Sequence, residues 1–152
     1  MAGRLEALFA DYAQHHQTSG NQWCHLVGIP LIAFSLLGLL AVEAFHLDGV
    51  RVDWAVVLTV LLAPVYVWLD VRLGAVLTVA YVLLYLGARM LAWQVNLALF
   101  LLGWVFQFVG HGVYEKRSPA FFKNLIHLLV GPLWVVSHLL HIRPKVPTAS
   151  ES

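Results

Sequence analysis

Long apolar stretches separated by short charged breaks set the pattern of this chain. Four of them, Leu26–Phe45, Val52–Leu69, Leu73–Ala88 and Leu91–Val109, reach or approach the length needed to cross a bilayer. That length is roughly 20 residues for a helix, with about 17 as the short limit. The breaks are His46–Arg51, Asp70–Arg72 and Arg89–Met90. Apolarity is continuous rather than alternating, which favours helices over strands, and the many alternating segments of a lipid-facing barrel are absent. A fifth stretch, Leu125–His141, holds His127, Gly131-Pro132 and His138. Proline lacks an N–H and its predecessor resists the helical region, so a break is expected near Gly131.

Before the first span, Arg4–His16 places Leu5, Leu8, Phe9 and Tyr12 at helical spacing and predicts an amphipathic helix lying in the membrane interface. Thr18-Ser-Gly-Asn21 reads as a turn, with Asn21 the expected N-cap of the first span. The expected fold is therefore all-α: a polytopic membrane helix bundle with four spans, an N-terminal interfacial helix and a re-entrant or broken last helical segment. Residues 1–143 form one membrane-embedded domain, and 144–152 a disordered tail.

Composition agrees with that class. Of 152 residues, 61% are hydrophobic and only 11% charged, against about a quarter charged in an ordinary soluble domain. A formal charge of +1 gives no reason to expect nucleic acid as a partner. The lone Cys24 forms no internal disulfide, and Glu6 and Asp11 before the first apolar run do not resemble a cleavable signal. Lys and Arg orient the bundle. Four spans with a re-entrant last segment put seven of these residues on one side and two on the other. That side is then cytoplasmic, and both chain ends lie there. The six tryptophans fall mostly near span ends, as an interfacial belt requires.

Eight histidines against eight carboxylates change the picture. A titratable ring at the edge of a membrane segment is costly and points to a site. His15, His16 and His25 lie at the entry to the first span and His111 at the exit of the fourth, so four crossings bring them to one face. Neutral imidazole suits iron, zinc and copper. Tyr12 and His16 are four apart, as are Gln107, His111 and Glu115, so a continuing helix would flank His111 with Gln107 and Glu115. Glu115 then either orients the imidazole or is itself a ligand. His15 faces away from His16 and is expected to be solvated. His127 and His138 would stand roughly 16 Å apart on an unbroken helix. His138 joins His111 only if the last segment breaks. Lys116 and Arg117 face headgroups or capture a substrate carboxylate.

The run Tyr12-Ala-Gln-His-His16 with Asn21-Gln-Trp-Cys-His25-Leu-Val-Gly-Ile-Pro30, and Phe106-Gln-Phe-Val-Gly-His111-Gly-Val-Tyr-Glu115-Lys-Arg-Ser-Pro-Ala120 with Asn124, resembles the yeast-type 2-hydroxy fatty acid dioxygenases. These are small multi-span membrane proteins, and the resemblance extends from Tyr12 to about Leu140. It implies an Fe(II) enzyme, in the endoplasmic reticulum of eukaryotes or the inner membrane of bacteria, with the metal site on the cytoplasmic side. It implies His16, His25 and His111 as metal ligands, with Tyr12, Asn21, Gln107 and Glu115 at motif positions. Position 138 resembles one that is a carboxylate in the yeast-type member, so His138 is a departure that can still ligate iron. His127 stands where that member has glutamine and ranks lower, leaving the fourth ligand open among His138, His127 and Glu115.

The chemistry implied is α-oxidation, in which a 2-hydroxy fatty acid and dioxygen give carbon dioxide, water and an acid one carbon shorter. No dinucleotide fingerprint is present, in keeping with a substrate that supplies its own electrons. Tyr12 or Glu115 would manage a proton, Asn21 and Gln107 would support the ligands, and the acyl tail would lie between spans or among membrane lipids. The alternatives from other classes are a metal or haem carrier without catalysis, a zinc lipid hydrolase, and a lipid scaffold. Oligomeric state is not legible.

Overall fold

In the computed structural model, which describes residues 2–116 and 126–142, helices dominate. They are α1 (Ala2–Gln14), α2 (Ser19–Leu39), α3 (Trp54–Leu69), α4 (Val71–Ala88), α5 (Trp93–Val109) and α6 (Ile126–Leu140). Helix α5 runs on into a π-helical turn, Gly110–Glu115. Three helical stretches are long and apolar enough to cross a membrane: Ser19–Leu39, Val71–Ala88 and Trp93–Glu115. The second expected span is the 16-residue α3, and α6 has 15 residues. At 1.5 Å per residue these reach only roughly 24 and 22 Å.

Carboxylates start and stop the helices. Asp53 caps α3 by accepting from the Val56 N–H at 2.9 Å, and it also accepts from the Tyr85 hydroxyl. Asp70 closes α3 and opens α4, accepting from the N–H groups of Arg72 and Leu73, each at 2.9 Å. These bonds satisfy donors that a helix N-terminus leaves unpaired. At α2 the cap is Thr18, whose hydroxyl accepts from the Asn21 N–H at 3.4 Å. The expected cap, Asn21, lies inside the first turn, fully buried, and donates from its amide to the His15 carbonyl at 3.3 Å.

Two sequence expectations are corrected. The His46–Arg51 break belongs to an antiparallel hairpin, β1 (Glu43–Leu47) with β2 (Val50–Asp53). Asp48 and Gly49 have φ of 47° and 82°, the two positive values a tight primed turn demands. The Asp-Gly pair was the available signal. Helix α6 passes through Pro132 without the expected break. Neighbouring helices restrain it: it packs on α1, α2 and α4, with Leu133 fully buried. Such packing lets apolar helices tolerate a missing backbone donor.

The tightest seam joins α2 to α5, antiparallel, through small residues. A side chain on Gly28 would meet the Gly103 carbonyl at 2.9 Å, and one on Gly103 would meet Ile32 at 2.7 Å. Small residues on facing helices let backbones approach closely where lipid offers no hydrophobic drive. Helix α1 crosses one end of the bundle, from Arg4 stacked on Trp68 at the end of α3 to Tyr12 beside His25 near the start of α2. Four tryptophans, at 23, 54, 68 and 93, stand exposed near helix ends, whereas Trp104 and Trp134 turn inward.

Candidate metal centre

Three backbone segments converge at the end of the bundle that α1 covers. His16 follows the last turn of α1, His25 lies two turns into α2, and His111 is in the π turn that prolongs α5. Each is 3% exposed, and one ring nitrogen from each comes within 4.8 Å of the others. The α2–α5 seam brings His25 and His111 together, with ring centroids 4.8 Å apart. A side chain on Gly110 would strike Asn21 at 2.4 Å, so this glycine allows the π turn to lie against α2.

Hydrogen bonding fixes which nitrogens face inward. His16 Nδ1 is 2.6 Å from the Tyr12 carbonyl, and His25 Nδ1 is 2.9 Å from the Asn21 carbonyl. A carbonyl only accepts, so each Nδ1 carries the proton and a neutral ring leaves its Nε2 lone pair bare. Yet the two Nε2 atoms lie 3.0 Å apart. Two bare lone pairs at that distance repel unless a cation lies between them. A proton is a poor candidate, because burial, and then the neighbouring His25, push the His16 pKa down to about 2. The His16–His25 pair has the spacing that a metal ion would suit: imidazole nitrogens about 2.1 Å from one ion and about 90° apart are separated by about 3 Å. Carbonyl partners on the outer ring nitrogens are the usual means of orienting ligand histidines.

The neighbouring positions divide. Tyr12 is 2% exposed and stacks on His16 with ring centroids 3.9 Å apart. Burial pushes its phenol pKa up, so it keeps its proton. Gln107 is buried against Gly28, with its amide nitrogen lacking a hydrogen-bond partner. Glu115 stands in the π turn, four residues beyond His111, where the helical repeat is wider than in an α-helix. Its carboxylate accepts from the Thr18 N–H at 2.7 Å and hydroxyl at 3.0 Å, pinning the loop that carries His16. Turns of this kind are rare and cluster at functional sites.

A family profile described as 2-hydroxy-palmitic acid dioxygenase Mpo1-like matches residues 2–142. The chain belongs to the Mpo1-like family. It is similar to the 2-hydroxy-palmitic acid dioxygenase MPO1 of Saccharomyces cerevisiae, with 34% identity over 142 residues, 90% of this chain and 79% of the relative. No solved structure matches it.

In this Mpo1-like chain the other expected histidines lie outside the group of converging nitrogens. His138 lies on the unbroken α6 and stacks on Trp134 at 5.1 Å, outside the group of converging nitrogens. The route that would have brought it to His111 was the missing break. His127 meets Asp11, Nε2 to carboxylate, at 2.9 Å. Lys116 is exposed, at the left-handed residue ending the π turn, with φ of 54°. Arg117, Asn124 and the 144–152 tail lie outside the described residues.

Sequence reasoning missed Asp11 and Thr18. The partner of Asp11 is 116 positions away, a separation no local pattern reveals. Thr18 is an ordinary cap residue whose second task needs Glu115 beside it.

A cavity of about 430 Å³ opens beneath the triad. His16, His25, His111, Tyr12 and Gln107 line one end, and the rest of its wall is almost wholly apolar.

Proposed function

We propose that this chain is an Fe(II)-dependent dioxygenase at the cytoplasmic face of a membrane, shortening 2-hydroxy fatty acids by one carbon. The observation that carries this reading is the triad itself: three buried imidazoles, two with their Nε2 lone pairs aimed at one point by backbone carbonyls. His16, His25 and His111 would hold the ion. Three histidines would leave positions free for substrate and dioxygen, and the similarity to the yeast 2-hydroxy-palmitic acid dioxygenase supports that use.

The reaction balances without a further reductant. The bond between C1 and C2 breaks, C1 leaves as carbon dioxide, and C2 becomes the new carboxyl carbon. The hydroxy acid gives up the four electrons that dioxygen accepts. When bound, ferrous iron would supply the one-electron chemistry that lets dioxygen react with a closed-shell acid. The chain's own residues do the remainder. Tyr12, uncharged and buried, offers its O–H to a substrate oxygen, and the Gln107 amide offers a second donor. Glu115 holds the His16 loop in place from outside. The apolar wall keeps bulk water from the C1–C2 bond.

Anaerobic purification with metal analysis, followed by oxygen uptake on 2-hydroxypalmitate, tests this. Stoichiometric iron, with one carbon dioxide and one shortened acid per dioxygen, is expected. Iron-loaded protein that consumes no oxygen would end the proposal. A Soret band would mark a haem carrier, and activity with zinc but no oxygen uptake a hydrolase.

A further inference from the structure

The cavity has a direction. From His25 it follows α2 through Ile29, Ile32 and Ala33 to Leu36 and Leu37. That path is eleven or twelve residues long, roughly 17 Å at the helical rise. On the opposite wall α5 contributes Gln107, Trp104 and Phe100 in the reverse order, as its antiparallel course requires. Helix α3 enters from the far end, where the N–H groups of Trp54 and Ala55 bond to the carbonyls of Val42 and Leu40. Its Leu58 and Thr59, one turn in, therefore lie level with Leu36. Leu62 and Tyr66 stand nearer the triad. The Thr59 hydroxyl is turned back onto the Ala55 carbonyl at 2.8 Å, so it offers the cavity no donor. Tyr66 and Tyr81 face each other in the middle wall, hydroxyl to hydroxyl at 3.4 Å, so that one donates to the other.

We infer that this cavity is the binding site for a single linear acyl chain, with the methyl end lodged against Leu36, Leu58 and Thr59, and that these three residues set the chain length the protein prefers. The inference rests on the dioxygenase reading for the polar end alone. Polar side chains crowd the triad end; farther along, Thr59 bonds to its own helix, the two tyrosine hydroxyls lie against each other, and the rest of the wall is apolar. The ligand must therefore be polar at one tip and apolar along its length. The volume, about 430 Å³, holds roughly fourteen groups at about 30 Å³ each, the space of a water or methylene. That holds most of one long-chain acid, with no space for a second tail beside it. Shape and greasiness, rather than hydrogen bonds, then discriminate among substrates, so preference should grade with length instead of switching sharply.

The test fills or empties the far end. Leu36→Trp and Leu58→Trp are expected to cut oxygen uptake on 2-hydroxypalmitate at least about tenfold relative to 2-hydroxydecanoate. Leu36→Ala should move the preference toward 2-hydroxystearate. Leu101→Trp, on the outward face of α5 at 56% exposure, should leave the ratio unchanged. A second readout needs neither iron nor turnover: thermal stabilisation of the metal-free protein in detergent by palmitate and by decanoate. Palmitate should stabilise the parent more than decanoate does, and Leu36→Trp should erase that difference. Unchanged ratios in the folded variants would overturn the inference, as would equal thermal shifts in parent and Leu36→Trp, which mean partition into the micelle. A parent that takes up no oxygen yet keeps the palmitate shift retains the acyl site and loses only the dioxygenase reading. Should the tryptophan variants fail to fold, Leu36→Ala decides.

Discussion

Two histidine clusters lie side by side where α1 meets the bundle, and they differ in how their nitrogens are held. In the first, His16, His25 and His111 are almost wholly buried, and carbonyls on the outer nitrogens of His16 and His25 turn bare lone pairs inward. In the second, Asp11, His15 and His127 also gather within 4.8 Å. There the inner contact is already satisfied: His127 Nε2 meets the Asp11 carboxylate, whose side chain is 47% exposed. His15 places its Nδ1 on the Asp11 carbonyl at 3.0 Å, as His16 and His25 do with theirs, so the difference lies with His127 and Asp11. Like residue types at like separations thus make a candidate metal site in one case and a clasp between α1 and α6 in the other. A competing carboxylate on His127, and the greater exposure of Asp11, separate them.

The sharpest way to break the contrast is to remove a ring. His25→Ala should abolish stoichiometric iron and lower oxygen uptake beyond the roughly 10–100-fold that loss of a supporting partner costs. Metal analysis beside a turnover assay checks this. Next comes the seam that makes convergence possible. Gly28→Val presses on the Gly103 backbone and should cost about 1–3 kcal/mol of stability, with iron lost in parallel. Detergent unfolding curves and iron content, read together, would expose a seam irrelevant to the site.

Smaller effects probe the surroundings. Glu115→Gln keeps an acceptor for Thr18 but removes the charge, and should weaken iron binding about tenfold while leaving the helices intact, as a chelator competition would measure. His127→Gln and Asp11→Asn sharpen the comparison from the other side. Each should retain full iron and lose about 1 kcal/mol of stability through one hydrogen bond. Depletion of iron in either would make the second cluster part of the centre. Least of all, Gly112→Ala should change neither iron nor stability by more than about 0.5 kcal/mol, because a side chain there meets nothing within 4 Å, unlike one on Gly110.

Much of this was legible in advance. Apolar runs located α2 to α5 to within a few residues at most ends, and amphipathic spacing located α1. The triad followed from sidedness: residues at the entry of one span and the exit of another must share a face. The misses came where neighbours override local preference. Pro132 sits in an intact helix because α1, α2 and α4 restrain it. The change of repeat from α to π at Gly110 is one that the spacing from Gln107 through His111 to Glu115 does not announce. The hairpin at Asp48-Gly49 carried a signal that the surrounding apolarity masked.

Amino-acid order by itself determined the class of this protein, the position of its helices and the trio of imidazoles able to meet, since burial in lipid leaves a backbone few choices and fixes which ends lie together. Tertiary structure alone decided how closely the three rings approach, which carboxylate serves as a clasp, and that an apolar cavity lies below the triad. Those properties depend on contacts between residues far apart in the chain, about a hundred positions in two cases, set by how closely helices pack, and no local pattern encodes them.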